Sequence, residues 1–175
     1  MPANFANKIP DTWSFEESAG LMIFYATVIW CFDVVGELRK GQTVLVHSAF
    51  GGVGLAAIQF CEMRGAQVYA TVGSEEKVRY LVNGCHIPRS RIFYSRDTSF
   101  YRDLMRETNN RGVDIVLSSL PGKLLHAPWK CVAPGGKMFD IGKRDVLGHS
   151  ILPMNPFDQA RSSYTRPTSS HAKQP

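Results

Sequence analysis

The residues best suited to chemistry lie in one run, Thr43-Val44-Leu45-Val46-His47-Ser48-Ala49-Phe50-Gly51-Gly52-Val53-Gly54-Leu55-Ala56-Ala57-Ile58-Gln59. Thr43 to His47 read as a short buried strand, apolar or β-branched with no helical period. Leu55, Ile58 and Phe60 open a helical pattern, and a glycine-rich turn lies between. This order puts a helix N-terminus at the end of a strand, where free backbone N–H groups and the helix dipole attract an anion such as a dinucleotide pyrophosphate. Gly51 and Gly52 let the backbone bend and approach the phosphates, with Val53 beside them. Gly54 lets the helix pack closely on the strand. The strict G-x-G-x-x-G spacing is absent, because Ser48 stands where that pattern begins with Gly. The competing reading is a turn that serves chain reversal alone.

The second predicted strand bears on which dinucleotide would bind. NAD-preferring domains carry an acidic residue about 20 positions past the turn, which holds the ribose hydroxyls. Here that strand ends Ala70-Thr71-Val72-Gly73-Ser74 with no acid at its tip, and Lys77 follows. A hydroxyl at a helix start with a lysine one turn later can receive a 2′-phosphate, which favours NADPH. In the rival reading Ser74 is an N-cap and Lys77 a solvated charge. Glu75 and Glu76 stand beside the proposed phosphate, where they also suit the first turn of a helix.

The elements that must position these residues alternate. Ser14 and Glu17 fit a capping box, so a helix is expected from about Phe15. Leu21 to Leu38 read as a largely buried helix closed by Arg39-Lys40-Gly41. After the first strand and helix come a strand at Gln67–Val72, a helix from Glu75, a strand at Arg91–Ser95 and an amphipathic helix over Thr98–Thr108. Then follow a strand at Val113–Leu117, a helical stretch Lys123–Cys131 weakened by Pro128, a turn at Pro134-Gly135-Gly136 and a strand at Lys137–Ile141. Strands and helices alternating at short spacing predict a doubly wound parallel sheet, Rossmann-like. Five strands are counted where such domains have six, so the sheet is expected to be incomplete at its C-terminal edge. Three regions follow: 1–40, an N-terminal segment and helix; 41–150, the dinucleotide-binding domain; and 151–175, a polar tail read as disordered.

Composition narrows the classes. At 175 residues with 44% hydrophobic content, one ordinary domain fits. The net charge of +5 comes from Lys and Arg scattered among acids, which argues against nucleic acid. The four cysteines are far apart and the five histidines show no ligand spacing, so neither a disulfide framework nor a metal site is expected. The setting expected is reduced and cytoplasmic. The apolar run Leu21–Phe32 is only a dozen residues long, short of the roughly 20 needed to cross a bilayer.

The run His47–Gln59 resembles the zinc-independent medium-chain dehydrogenase/reductases of the quinone oxidoreductase type. Arg91–Phe100, Arg111–Leu120 and Gly136–Asp145, with His126–Ala133 and Pro134, are similar to the enoyl reductase domain of fungal highly reducing polyketide synthases, and the likeness covers roughly Ile9 to Arg161. The resemblance implies reduction of an α,β-enoyl thioester on an acyl carrier protein, with NADPH as hydride donor. It implies that Gly51, Gly52 and Val53 meet the pyrophosphate, and that Ser74, Lys77 and Arg96 hold the 2′-phosphate end. Ser119 and Leu120 would lie along the nicotinamide half, with Lys143 near the nicotinamide as proton donor or substrate-orienting charge. Ser118 stands where the family has Asn. The family also places a GroES-like β-barrel ahead of this region, so the expectation is a truncated reductase, weak or inactive alone unless a partner supplies the barrel. The alternatives are a non-catalytic NADPH-binding scaffold module of a synthase and a small quinone or enone reductase.

Overall fold

A computed structural model describes residues 8–119, 126–142 and 163–165. Its first helix, α1 (Phe15–Val28), runs without a break into a π-helical segment, Ile29–Val35. Then come β1 (Thr43–Val46), α2 (Gly52–Arg64), β2 (Gln67–Val72) and α3 (Glu75–Gly84). A single 3₁₀ turn, Arg89–Arg91, leads into β3 (Ile92–Tyr94), followed by α4 (Ser99–Glu107), β4 (Val113–Ser118), α5 (His126–Lys130), β5 (Val132–Asp140) and β6 (Ser163–Thr165). The sheet order is β3-β2-β1-β4-β5-β6, with every pair parallel. This is the order of a doubly wound dinucleotide fold, with its topological switch between β1 and β4.

Alternation along the strands builds two cores. Val44, Val46, Val68, Ala70, Ile115, Leu117 and Phe139 face one layer, shared with Val28, Phe32, Ile58, Phe60 and Leu81 of the helices. Leu45, Tyr69, Phe93, Val116 and Met138 face the other, against Phe100 and Leu104 of α4 and Trp129 of α5. Each fully buried side chain of this size contributes about 1.5–3 kcal/mol. At the far end of the sheet Asp114 ties β4 to β1. Its carboxylate accepts from the Thr43 backbone N–H at 2.8 Å and the Thr43 hydroxyl at 2.9 Å, and pairs with Arg111.

Four expectations change. The tail contributes β6, where Ser163–Thr165 pair in register with Lys137–Phe139. Three residues are too few to show a period, and an edge strand needs only backbone pairing. The expected turn Pro134-Gly135-Gly136 lies inside β5. There the ladder advances two residues on β4, Val113 to Ile115, against five on β5, Val132 to Lys137, and the excess is absorbed with Gly135 at φ +75°.

The first helix is not largely buried. Val28, Cys31 and Phe32 are fully inside, but Phe15, Met22, Ile23, Ile29 and Val34 are 42–81% exposed. Ala19 and Ala26 are exposed too, completing one apolar flank. Finally, Ser18–Val35 form an 18-residue window with a mean hydropathy of 1.7, long and apolar enough to cross a bilayer by length and composition alone. The shorter Leu21–Phe32 run stops at Asp33, but the helix does not. Its far end is fastened to the sheet: the Lys137 ammonium of β5 donates to the carbonyls of Val35 at 2.9 Å and Gly36 at 3.2 Å.

Candidate functional site

The turn between β1 and α2 sits at the C-terminal tips of the strands, beside the switch point. Gly51 takes the N-cap position of α2 in an extended conformation, and no side chain caps the helix. The first N–H groups of an α-helix lack intrahelical acceptors, so an uncapped start is suited to an anion. Close packing explains two of the glycines. A Cβ on Gly54 would stand 2.6 Å from the Ala49 carbonyl oxygen, and one on Gly52 would stand 2.4 Å from the Phe24 ring of α1. Val53 is half-buried against the core.

Neighbouring strands hold the turn in place. The Ala49 N–H donates to the Thr71 carbonyl at 3.0 Å, and the His47 N–H to the Leu117 carbonyl at 3.0 Å. Ser48 lies in the left-handed region at φ +54°, which explains why the usual pattern has Gly there. The Ser119 hydroxyl donates to the Ser48 hydroxyl at 3.1 Å, bridging the tips of β4 and β1. Below the turn His47 is buried. Its Nδ1 is paired with the Thr71 hydroxyl, its ring lies edge-on to Phe100 at 4.8 Å, and its Nε2 makes no hydrogen bond among the described residues. Burial pushes its pKa down to about 3, so this imidazole is neutral.

A second cluster forms at the tips of β2 and β3. Ser74 holds the N-cap position of α3, yet its hydroxyl caps no backbone N–H. Arg96 reaches across from beyond β3, and its Nε donates to the Gly73 carbonyl at 3.0 Å. The Gly73 carbonyl immediately precedes Ser74, so Arg96 is tied to the backbone at the start of α3. The Lys77 ammonium lies 5.3 Å from the centroid of the Phe50 ring. Glu75 accepts a hydrogen bond from the Tyr94 hydroxyl, and that bond holds the Tyr94 phenol above its usual pKa.

The structure thus places Gly51, Gly52, Val53 and Ser119 at the tips of β1 and β4, and Ser74, Lys77 and Arg96 beyond the tips of β2 and β3. Leu120 and Lys143 lie outside the described residues. Sequence reasoning missed Thr71, Tyr94 and Phe50. Thr71 reads as one more β-branched strand residue, whereas an aromatic between Ala49 and Gly51 was a signal in plain view. A cavity of about 210 Å³ opens at the opposite end of the sheet, lined by Ile58, Glu62, Cys85, His86 and Arg91 among others. Open α/β sheets bind ligands at the carboxyl ends of their strands, not at that end.

The sequence profile of the zinc-binding dehydrogenases matches residues 52–168. The chain belongs to that family. Within it, the chain stands with the enoyl reductase domains of polyketide synthases. It is 55% identical over 150 residues to a highly reducing polyketide synthase of Aspergillus fumigatus, covering 86% of this chain and 6% of that protein. The CurK enoyl reductase superposes with a TM-score of 0.83 at 29% identity, over 95% of this chain and 48% of that one. The nucleotide-binding subdomain of the enoylreductase domain of PpsC from Mycobacterium tuberculosis superposes with a TM-score of 0.74 at 33% identity, over 85% of this chain and 81% of that one. The chain therefore spans a small part of the synthase it matches. The family name refers to zinc, but among the described residues no three His, Cys, Asp or Glu side chains gather as a metal site would require.

Proposed function

We propose that this chain binds NADPH across the tips of β2, β1 and β4, and that it forms the nucleotide-binding part of an enoyl thioester reductase. The carrying observation is the junction of β1 and α2, an uncapped helix start with Gly51 and Gly52 beside a topological switch point. Gly51, Gly52 and Val53 would hold the pyrophosphate there. At the neighbouring tip a serine hydroxyl that caps no helix N–H, a lysine and an arginine would hold the 2′-phosphate, and the strand end carries no acid of the kind that selects NAD. Ser119 borders the turn from the tip of β4.

The bound cofactor would supply hydride to the β-carbon of an enoyl thioester carried on an acyl carrier protein. Leu120 along the nicotinamide half and Lys143, as proton donor or orienting charge, enter on resemblance alone. The apolar flank of α1 supports the further reading that a second lobe packs on this chain to close the substrate cleft. The direct test is to titrate NADPH and NADH separately into the 175-residue chain and follow nucleotide fluorescence. Saturable binding that favours NADPH is expected. No binding, or equal affinity for both, would end the reading. An enoyl thioester is then added and NADPH absorbance followed: turnover by the lone chain would show that the second lobe is dispensable.

A further inference from the structure

Phe50 is an unusual residue for its place: an aromatic ring 36% exposed in the glycine-rich turn, immediately before the residues proposed to meet the pyrophosphate, Gly51, Gly52 and Val53. The ring is not loose. It meets Tyr80 of α3 edge to face, at 5.0 Å between centroids and 90° between planes. Lys77, one turn before Tyr80 on the same helix, places its ammonium 5.3 Å from the Phe50 centroid. That is within the range at which a ring face attracts a cation.

The two acids just before Lys77 in sequence, Glu75 and Glu76, form no ion pair with it. Glu75 is engaged by the Tyr94 hydroxyl, and among the described residues Lys77 makes no ion pair. A carboxylate partner would neutralise this lysine. A ring face orients it and leaves its full charge for a ligand. A lysine already held in place also loses less rotamer freedom when it binds.

We infer that Phe50 is a positioning residue: it fixes Lys77 for the 2′-phosphate and so sets the preference for NADPH over NADH. The inference rests on the NADPH reading above. It links the turn that would hold the pyrophosphate to the helix that would hold the phosphate on the adenosine ribose, through the packing of one side chain.

The test is a double-mutant cycle on the full chain, read by nucleotide fluorescence with NADPH and NADH as probes. Phe50→Leu keeps an apolar side chain and removes the ring. It is expected to weaken NADPH about threefold and leave NADH unchanged. In a Lys77→Ala background the same change has no further effect on NADPH, and Phe50→Tyr restores wild-type affinity. Equal losses for NADPH and NADH would overturn the inference, because Phe50 would then serve the shared adenine or the turn itself. A Phe50→Leu effect that persists without Lys77 would overturn it as well. If Phe50→Leu fails to fold, pentafluorophenylalanine at position 50 keeps the shape and drains the ring face, and undiminished NADPH affinity there is equally fatal. Wild-type chain that does not prefer NADPH ends both this inference and the reading beneath it. A clear preference that Phe50→Leu leaves intact ends this inference alone.

Discussion

Nδ1 of His47 lies 2.9 Å from Oγ1 of Thr71, joining the tips of β1 and β2 directly beneath the glycine-rich turn. The Thr71 carbonyl also receives the Ala49 N–H, so one threonine braces the turn through both its main chain and its side chain. Burial pushes His47 down to about 3 from an ordinary 6.5. Between those values the unfolded chain binds a proton that the folded chain refuses, so stability falls as pH drops through that window. Urea unfolding at about pH 7 and about pH 5 should show a loss on the order of 1 kcal/mol per pH unit below about pH 6. His47→Gln should flatten that slope, and an unchanged slope in the variant would remove His47 from the explanation.

Lys77 carries the discrimination proposed between the two nicotinamide cofactors. Lys77→Ala should weaken NADPH about tenfold, the scale of one charge-assisted contact to phosphate, with little change for NADH. Parallel titrations of the two nucleotides decide the matter. Equal losses rule out a contact with the 2′-phosphate.

The glycines of the turn should not be equivalent. Gly54→Ala drives a methyl group against the Ala49 backbone at 2.6 Å, whereas Gly51→Ala meets only the Ser48 carbonyl, at 3.3 Å. The first should cost about 1–3 kcal/mol or more in thermal or denaturant unfolding and the second distinctly less. A Gly54→Ala variant as stable as wild type would contradict the close approach of α2 to the turn.

Asp114 should matter to stability and not to cofactor binding. Burial pushes its carboxyl up, but Arg111 and the N–H and hydroxyl of Thr43 outweigh that and hold it below the ordinary carboxylate value. A lowered pKa means that its stabilisation is present at neutral pH and is lost as pH falls through the folded-state value. Asp114→Ala should cost about 1–3 kcal/mol at neutral pH, because it leaves the Thr43 N–H without this acceptor. Cofactor affinity reduced in proportion to that loss would show that the far end of the sheet is coupled to the site.

The junction of β1 and α2 was legible because its causes are local. β-branched residues, a glycine cluster and a helical period follow one another within a few positions, and the parallel sheet followed from their repetition. The contacts that finish the site are not local. Thr71 reaches His47 across 24 positions, Tyr94 reaches Glu75 across 19, and Ser119 reaches Ser48 across 71. No periodicity announces such pairs. The first helix was misjudged for a different reason. It is apolar on every side, so composition showed that it could be buried without showing which face was. Strand β6 was too short to register.

That exposed flank of α1 has a practical corollary. Phe15, Met22 and Ile23 are each more than 60% accessible to solvent, so the isolated chain meets water with a strip of oil-like surface. Sulfate and other strongly excluded salts should precipitate it early, and mild non-denaturing detergent should keep it dispersed.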